Sequence, residues 1–154
     1  KPAFKADGTI TAATSSSLAD GAAALVLSSN TTGAMARIVG YTSHAQSSET
    51  FATAPIGAIE KLCKQIGWSI NSVDAFEINE AFAVVPMAVI NTLQIPREKV
   101  NIYGGACALG HPIGTSGARI VVTLLNVMQQ NNFKRGIAAV CIGGGEATAI
   151  AIEI

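Results

Sequence analysis

Three short polar islands interrupt an otherwise apolar chain, and each holds residue types that do chemistry. The first runs from Gly104 to Gly117, with five glycines in fourteen positions and His111 held between Gly110 and Pro112. Glycines let a backbone approach a ligand closely and leave amides free to face an anion or oxyanion. A histidine in such a loop suits proton transfer or donation to an oxyanion; the plainer alternative is a histidine that bonds a loop carbonyl. The second island is Cys141-Ile142-Gly143-Gly144-Gly145. It places a thiol beside backbone amides, where it can exchange protons next to an oxyanion site, unless it is simply a buried apolar cysteine. The third is Glu77 to Ala83, in which Asn79 either caps the following helix or fixes a water or a carbonyl with its amide. A phosphate-binding loop is disfavoured for the His111 stretch, which lacks the Lys-Ser/Thr ending and the G-x-G-x-x-G order. Cys63 and Cys107 read as packing residues, and His44 as a surface or rim histidine in a Ser-rich loop.

These islands must be carried by strands and helices, and the apolar pattern supplies them. Residues 1–20 read as polar loop or extended chain. The continuous run Ala22 to Leu27 predicts a buried strand, and Ser28 to Gly33 a turn-rich break. Arg37 to Tyr41 predicts a second strand, followed by a polar loop around His44. Pro55 fits the start of a helix, Ile56, Ile59, Cys63 and Ile66 follow at helical spacing, and Gly67 ends it. Asp74 to Ile78 predicts a strand, and Ala81 to Leu93 a helix with Asn79 available as its cap. Residues 104–117 read as wholly irregular, and a long helix follows over Ala118 to Gln130. Ile137 to Ile142 and Ala147 to Ile154 predict a final hairpin around the three glycines. Alternating strands and helices ending in a hairpin make an α/β fold with a mixed sheet. Each island falls at a strand end or in a glycine loop, and that edge of an open α/β sheet is where ligands bind.

Composition narrows the function classes. The chain has 154 residues, 49% hydrophobic and only 13% charged, enough for one domain with a sizeable core. So few charges imply that part of the surface is an interface. Ten basic residues offset ten acidic ones, and aromatics are 5%, which argues against nucleic-acid binding. No apolar run reaches the roughly 18 residues needed to span a bilayer. The three cysteines are odd in number and lack metal-ligand spacing, which points to a reducing, cytoplasmic compartment and to no metal site. The opening KPAFKADGTI reads as an interior segment, so the chain is expected to be a piece of a longer protein.

Taken in order, Asn79-Glu80-Ala81-Phe82-Ala83, then GGACALGHPIGTSGARI, then CIGGG resemble the three C-terminal signature blocks of the thiolases. The separations match as well, and DGTITAATSSSLADGAAALVL resembles the segment preceding the C-terminal domain of that family. Ketoacyl synthases carry a similar His loop but lack the Cys-Ile-Gly-Gly-Gly block. The resemblance implies a thiolase-like C-terminal domain over residues 31–154, with helices on both faces of a mixed sheet. Residues 1–30 would complete or link to an N-terminal domain.

The implied activity is acyl-CoA C-acyltransfer, which makes or cleaves a carbon–carbon bond α to a thioester. By the same resemblance, His111 activates a nucleophilic cysteine that lies outside this chain and donates to the thioester oxygen. Asn79 holds a water that completes this oxyanion hole. Cys141 is the acid/base that moves the α-proton, and the Gly143 amide belongs to a second oxyanion hole. Ser16, Ala81 and Phe82 line the pantetheine pocket. Coenzyme A enters as substrate and no cofactor is tightly bound. The missing N-terminal half and further copies, as a homodimer or homotetramer, are the expected partners. The chain alone is expected to be inactive. An alternative is a non-catalytic acyl-CoA-binding or oligomerisation module with the same fold. The stretch from Ser28 to Arg37 is shorter than in the family, where a helix intervenes.

Overall fold

Pro55 and Gly67 bracket the first long helix as their backbone chemistry dictates. In the computed structural model, which describes residues 1–154, helix α1 spans Ala54–Ile66 with proline in its first turn. A proline there costs nothing, because its missing N–H would have had no partner within the helix. Gly67 closes the helix in the left-handed region (φ 71°), and the Trp68 N–H is donated to the Cys63 carbonyl.

Strands β1 (Arg37–Ala45), β2 (Ala75–Ile78), β3 (Arg135–Cys141) and β4 (Glu146–Glu153) form one sheet in the order β1-β4-β3-β2. The β2–β3 pair is parallel and the other two are antiparallel, so the sheet is mixed. All four residues of β2 are buried, as expected of a strand covered on both faces. On one face, Phe76, Ile78, Ile137, Ala139 and Ala149 pack against Ile59 and Leu62 of α1 and against Val85 and Val89 of helix α2 (Val84–Leu93). On the other, Ala75, Ala138 and Ile152 pack against Ile120, Leu124, Val127 and Met128 of helix α4 (Ser116–Asn131). The architecture is therefore α/β, with helices on both faces of a mixed sheet.

Four expectations need correction. The run Ala22 to Leu27 is not a strand. A strand persists where a neighbour takes its N–H and C=O groups, and the four-stranded sheet closes without this run. Leu25, Val26 and Leu27 are exposed, Val26 at 97%. His44 lies inside β1 rather than in a loop, because pairing with β4 continues through His44↔Ala147 to Ala45↔Glu146. Helix α2 begins at Val84, three residues later than Ala81, and Asn79 does not cap it. The stretch 104–117 is not wholly irregular, since Ala106–Leu109 form a single turn of helix, α3, and Ser116 already begins α4.

Candidate active site

Asn79 leaves the end of β2 fully buried, with its backbone N–H donated to the Ala139 carbonyl of β3. Its side chain is shared between two long-range partners. Arg119 of α4 donates through Nη2 to the Asn79 Oδ1 at 3.1 Å, and Asn79 Nδ2 lies 3.4 Å from His111 Nε2. That engagement explains why Asn79 is not a helix cap: its amide is already committed elsewhere. His111 is held at its other ring nitrogen by Ser116, with Nδ1 2.6 Å from Oγ. Ser116 is itself buried at the first turn of α4 and donates its hydroxyl to the Pro112 carbonyl at 3.1 Å.

Residues 11–21 lie as a strap across these loops. The Ser16 N–H and Oγ both donate to the Ala81 carbonyl, at 3.2 and 3.1 Å, and the Ala83 N–H is donated to the Thr14 carbonyl at 2.8 Å. The His111 N–H is donated to the Ser17 carbonyl at 2.8 Å, and Thr115 Oγ1 donates to the Gly21 carbonyl at 2.5 Å. Ser16, Ala81 and Phe82 are therefore brought together, all half-buried. Because the Ala81 carbonyl is given to the strap, the regular helix starts beyond it. Phe82 packs edge-on to Phe4 and Phe51, with centroids 5.6 and 6.3 Å away.

Cys141 ends β3 on the face of the sheet that packs against α1 and α2, with 9% of its surface exposed. No hydrogen bond joins it to His111. The two meet only at the level of the sheet edge, where Asn79 bonds Ala139, two residues before Cys141. Beyond Cys141 the chain turns back through Ile142 N–H to the Glu146 carbonyl and Gly145 N–H to the Ile142 carbonyl. Gly145 has φ 105°, and a Cβ there would run into the Gln46 carbonyl, so only glycine fits this turn. Gly143 is exposed, its N–H takes no backbone acceptor, and the space before its Cα is open. A free amide facing open space beside a thiol can receive an oxyanion.

The electrostatics keep this edge short of charge. Burial, and then the Arg119 guanidinium, hold His111 below its usual value, so it is a neutral base near pH 7. Burial pushes the Cys141 thiol up, partly offset by a backbone hydrogen bond, and the protonated thiol is the resting form. Glu77, one residue pair back along β2 and 1% exposed, is pushed up to about 8, chiefly by burial. Arg119 pulls that value down and Glu80 pushes it up again. Glu77 Oε1 and the Arg119 Nε and Nη1 are buried without hydrogen-bond partners.

Four participants were given no role from the sequence. Arg119 and Ser116 lie in the stretch GGACALGHPIGTSGARI, but their contacts with Asn79 and His111 appear only in three dimensions. Glu80 accepts from the Cys107 N–H at 3.0 Å and from Asn101 Nδ2 at 2.9 Å, fixing the start of α3 across 27 residues of chain. Asn101 is buried at φ 49° and bonds both the N–H and the carbonyl of Ile78. The buried polar side chain in a left-handed turn is the one signal that could have been sought. Cys63 is buried in α1 and Cys107 is half-buried, its thiol pushed up by burial and by Glu80. His44 is half-buried and bonds Gln46 at 3.2 Å. No group of three or more His, Cys, Asp or Glu side chains is arranged to hold a metal ion, and no helix is long and apolar enough to cross a membrane.

Residues 32–154 match the family model described as thiolase, C-terminal domain, and residues 1–31 match thiolase, N-terminal domain. A probable acetyl-CoA acetyltransferase of Dictyostelium discoideum is 49% identical over 159 residues, covering 99% of this chain and 38% of the relative. The crystal structure of the Bacillus anthracis acetyl-CoA acetyltransferase superposes with a TM-score of 0.96 at 43% identity, covering 99% of this chain and 40% of that one. Human mitochondrial 3-ketoacyl-CoA thiolase in complex with CoA superposes at 0.88 and 34% identity, with 99% and 40% coverage. The chain thus spans about two fifths of the length of the curated relatives it matches. With nearly all of its residues accounted for by those matches, this chain belongs to the thiolase family.

Proposed function

We propose that this chain carries the base and oxyanion part of an acyl-CoA C-acyltransferase that uses acetoacetyl-CoA or another 3-ketoacyl-CoA with CoA. The observation that supports it most is the junction of His111 and Asn79 at the sheet edge where Cys141 and the open Gly143 amide also lie. A thioester α-carbon is a weak acid, so forming its enolate needs a base and oxyanion donors together.

In the thiolytic direction, a cysteine supplied outside these residues gives its proton to His111 Nε2 and attacks the 3-keto carbon. The resulting imidazolium and a water held by Asn79 donate to the thioester oxygen as the carbon–carbon bond breaks. Cys141 then protonates the acetyl-CoA enolate, and its thiolate takes the proton of incoming CoA, which releases the shortened acyl group from the nucleophile. The Gly143 N–H receives the oxyanion formed on the acyl-enzyme. Condensation is the reverse, with Cys141 removing the α-proton. Ser16, Ala81 and Phe82 line the pantetheine arm of CoA, which binds as substrate. The three free thiols support a reducing, cytoplasmic setting.

Full-length protein should release acetyl-CoA from acetoacetyl-CoA plus CoA, and Cys141→Ala should abolish turnover with the circular dichroism unchanged. Near-normal turnover in that variant would sink the role given to Cys141. The 154 residues alone should show no turnover, since the attacking thiol is not among them. The exposed apolar run Leu25-Val26-Leu27 favours one addition: the chain works only in association, with the rest of an N-terminal domain and in a homodimer or homotetramer.

A further inference from the structure

Ser116 has one hydroxyl proton and two neighbours. With that proton given to the Pro112 carbonyl at 3.1 Å, its oxygen is left to accept from His111 Nδ1 at 2.6 Å. That requires the proton of the neutral imidazole to sit on Nδ1. Arg119 reaches the same conclusion from the opposite side of the ring. Its guanidinium has donors only, so the Asn79 atom at 3.1 Å from Nη2 must be the amide oxygen. The Asn79 amide nitrogen then faces His111 Nε2 at 3.4 Å and needs a lone pair there. The two contacts agree on one tautomer, with the proton on Nδ1. Both come from α4, Ser116 at its first residue and Arg119 one turn on, so a single rigid element holds them in register.

We propose that Ser116 and Arg119 are positioning residues that lock His111 in its neutral Nδ1–H tautomer, whose Nε2 lone pair, faced by the Asn79 amide only at 3.4 Å, is the one an incoming thiol takes over. The wrong tautomer would point an N–H at the incoming thiol and could not accept its proton. Ser116 acts directly on the ring, while Arg119 acts through the orientation of the Asn79 amide. The functional meaning rests on the acyltransferase reading given above, but the tautomer itself does not.

The test uses full-length protein labelled with 15N-histidine. In the wild type, His111 should show a pyrrole-type Nδ1 and a pyridine-type Nε2 near neutral pH. Ser116→Ala should move both resonances toward a mixed tautomer, with kcat for acetoacetyl-CoA thiolysis falling roughly ten- to a hundredfold and KM little changed. Arg119→Lys keeps a donor for Asn79 and should retain more of kcat than Arg119→Met, whose side chain has none. A pyridine-type Nδ1 in the wild type would overturn the proposal without any variant having to fold. Unaltered resonances and kcat in Ser116→Ala would overturn it equally, and equal losses in the two Arg119 variants would remove Arg119 from it. Absence of thiolysis in a wild-type protein with the Nδ1–H signature would instead refute the acyltransferase reading and leave the lock standing.

Discussion

Glu77 and His111 both feel the Arg119 guanidinium, and burial favours the neutral form of each. Glu77 binds its proton more tightly in the fold, at about 8, than the usual 4.5. Between those values the folded chain holds a proton that the unfolded chain has released, so stability is complete below about pH 4.5 and is lost as pH rises towards 8. Glu77→Gln removes that dependence. Urea unfolding at about pH 5 and about pH 9 should show the variant gaining on the parent by an amount on the order of a few kcal/mol at the higher pH. An unchanged difference between the two pH values would show that Glu77 ionises normally. His111 works in the other direction: its value is lowered, so stability falls as pH drops through 6.5 and the unfolded chain takes up the proton first. The Cys141 thiol, pushed up by burial, should alkylate with iodoacetamide more slowly at neutral pH than a free thiol, and speed up as pH rises. Fast alkylation near pH 7 would contradict that burial.

The turns and helices that carry these groups differ in how much substitution they tolerate. Gly145 is pinned by its φ of 105° and by the Gln46 carbonyl, whereas Gly143 faces open space. Gly145→Ala should therefore cost about 1–3 kcal/mol in chemical denaturation, and Gly143→Ala much less. Leu124 of α4 is fully buried against the sheet, and Leu124→Ala should cost roughly 2–5 kcal/mol by the same measurement. Elements whose signals are local were legible in the sequence. Pro55 and Gly67 marked α1 to within a residue, because a fixed φ and a left-handed cap act through the backbone alone. The alternating Ile and Ala of residues 146–153 marked β4 in the same way. What could not be read depends on partners distant in sequence. The start of α2 shifts because Ser16 takes the Ala81 carbonyl, α3 is fixed by Glu80, and β1 runs on to Ala45 because β4 pairs with it. At the site, His111 and Cys141 drew notice by their glycine context, and Asn79 by its order with them. Ser116 and Arg119 lie in the same signature stretch as His111 but drew no role, since their contacts with His111 and Asn79 depend on how α4 docks.

Across the whole molecule, the apolar run Leu25-Val26-Leu27 is the surface most at odds with an isolated existence. Light scattering on the 154-residue chain should show association, and Val26→Asp with Leu27→Asp should reduce it; a clean monomer would contradict an obligate interface. The strap formed by residues 11–21 bears on a different property, the order in which the molecule assembles. Its hydrogen bonds link Ser16 to Ala81 and Ser17 to His111, so this stretch, made before the loops it binds, must wait for them to complete these contacts. Contacts of such long sequence separation form slowly, because the intervening chain must be ordered first. The sheet and its helices can therefore condense while the His111 loop is still unset. The packed conformation of that loop becomes a final closing step, and a slow phase seen by His111 but not by the core would be its kinetic signature.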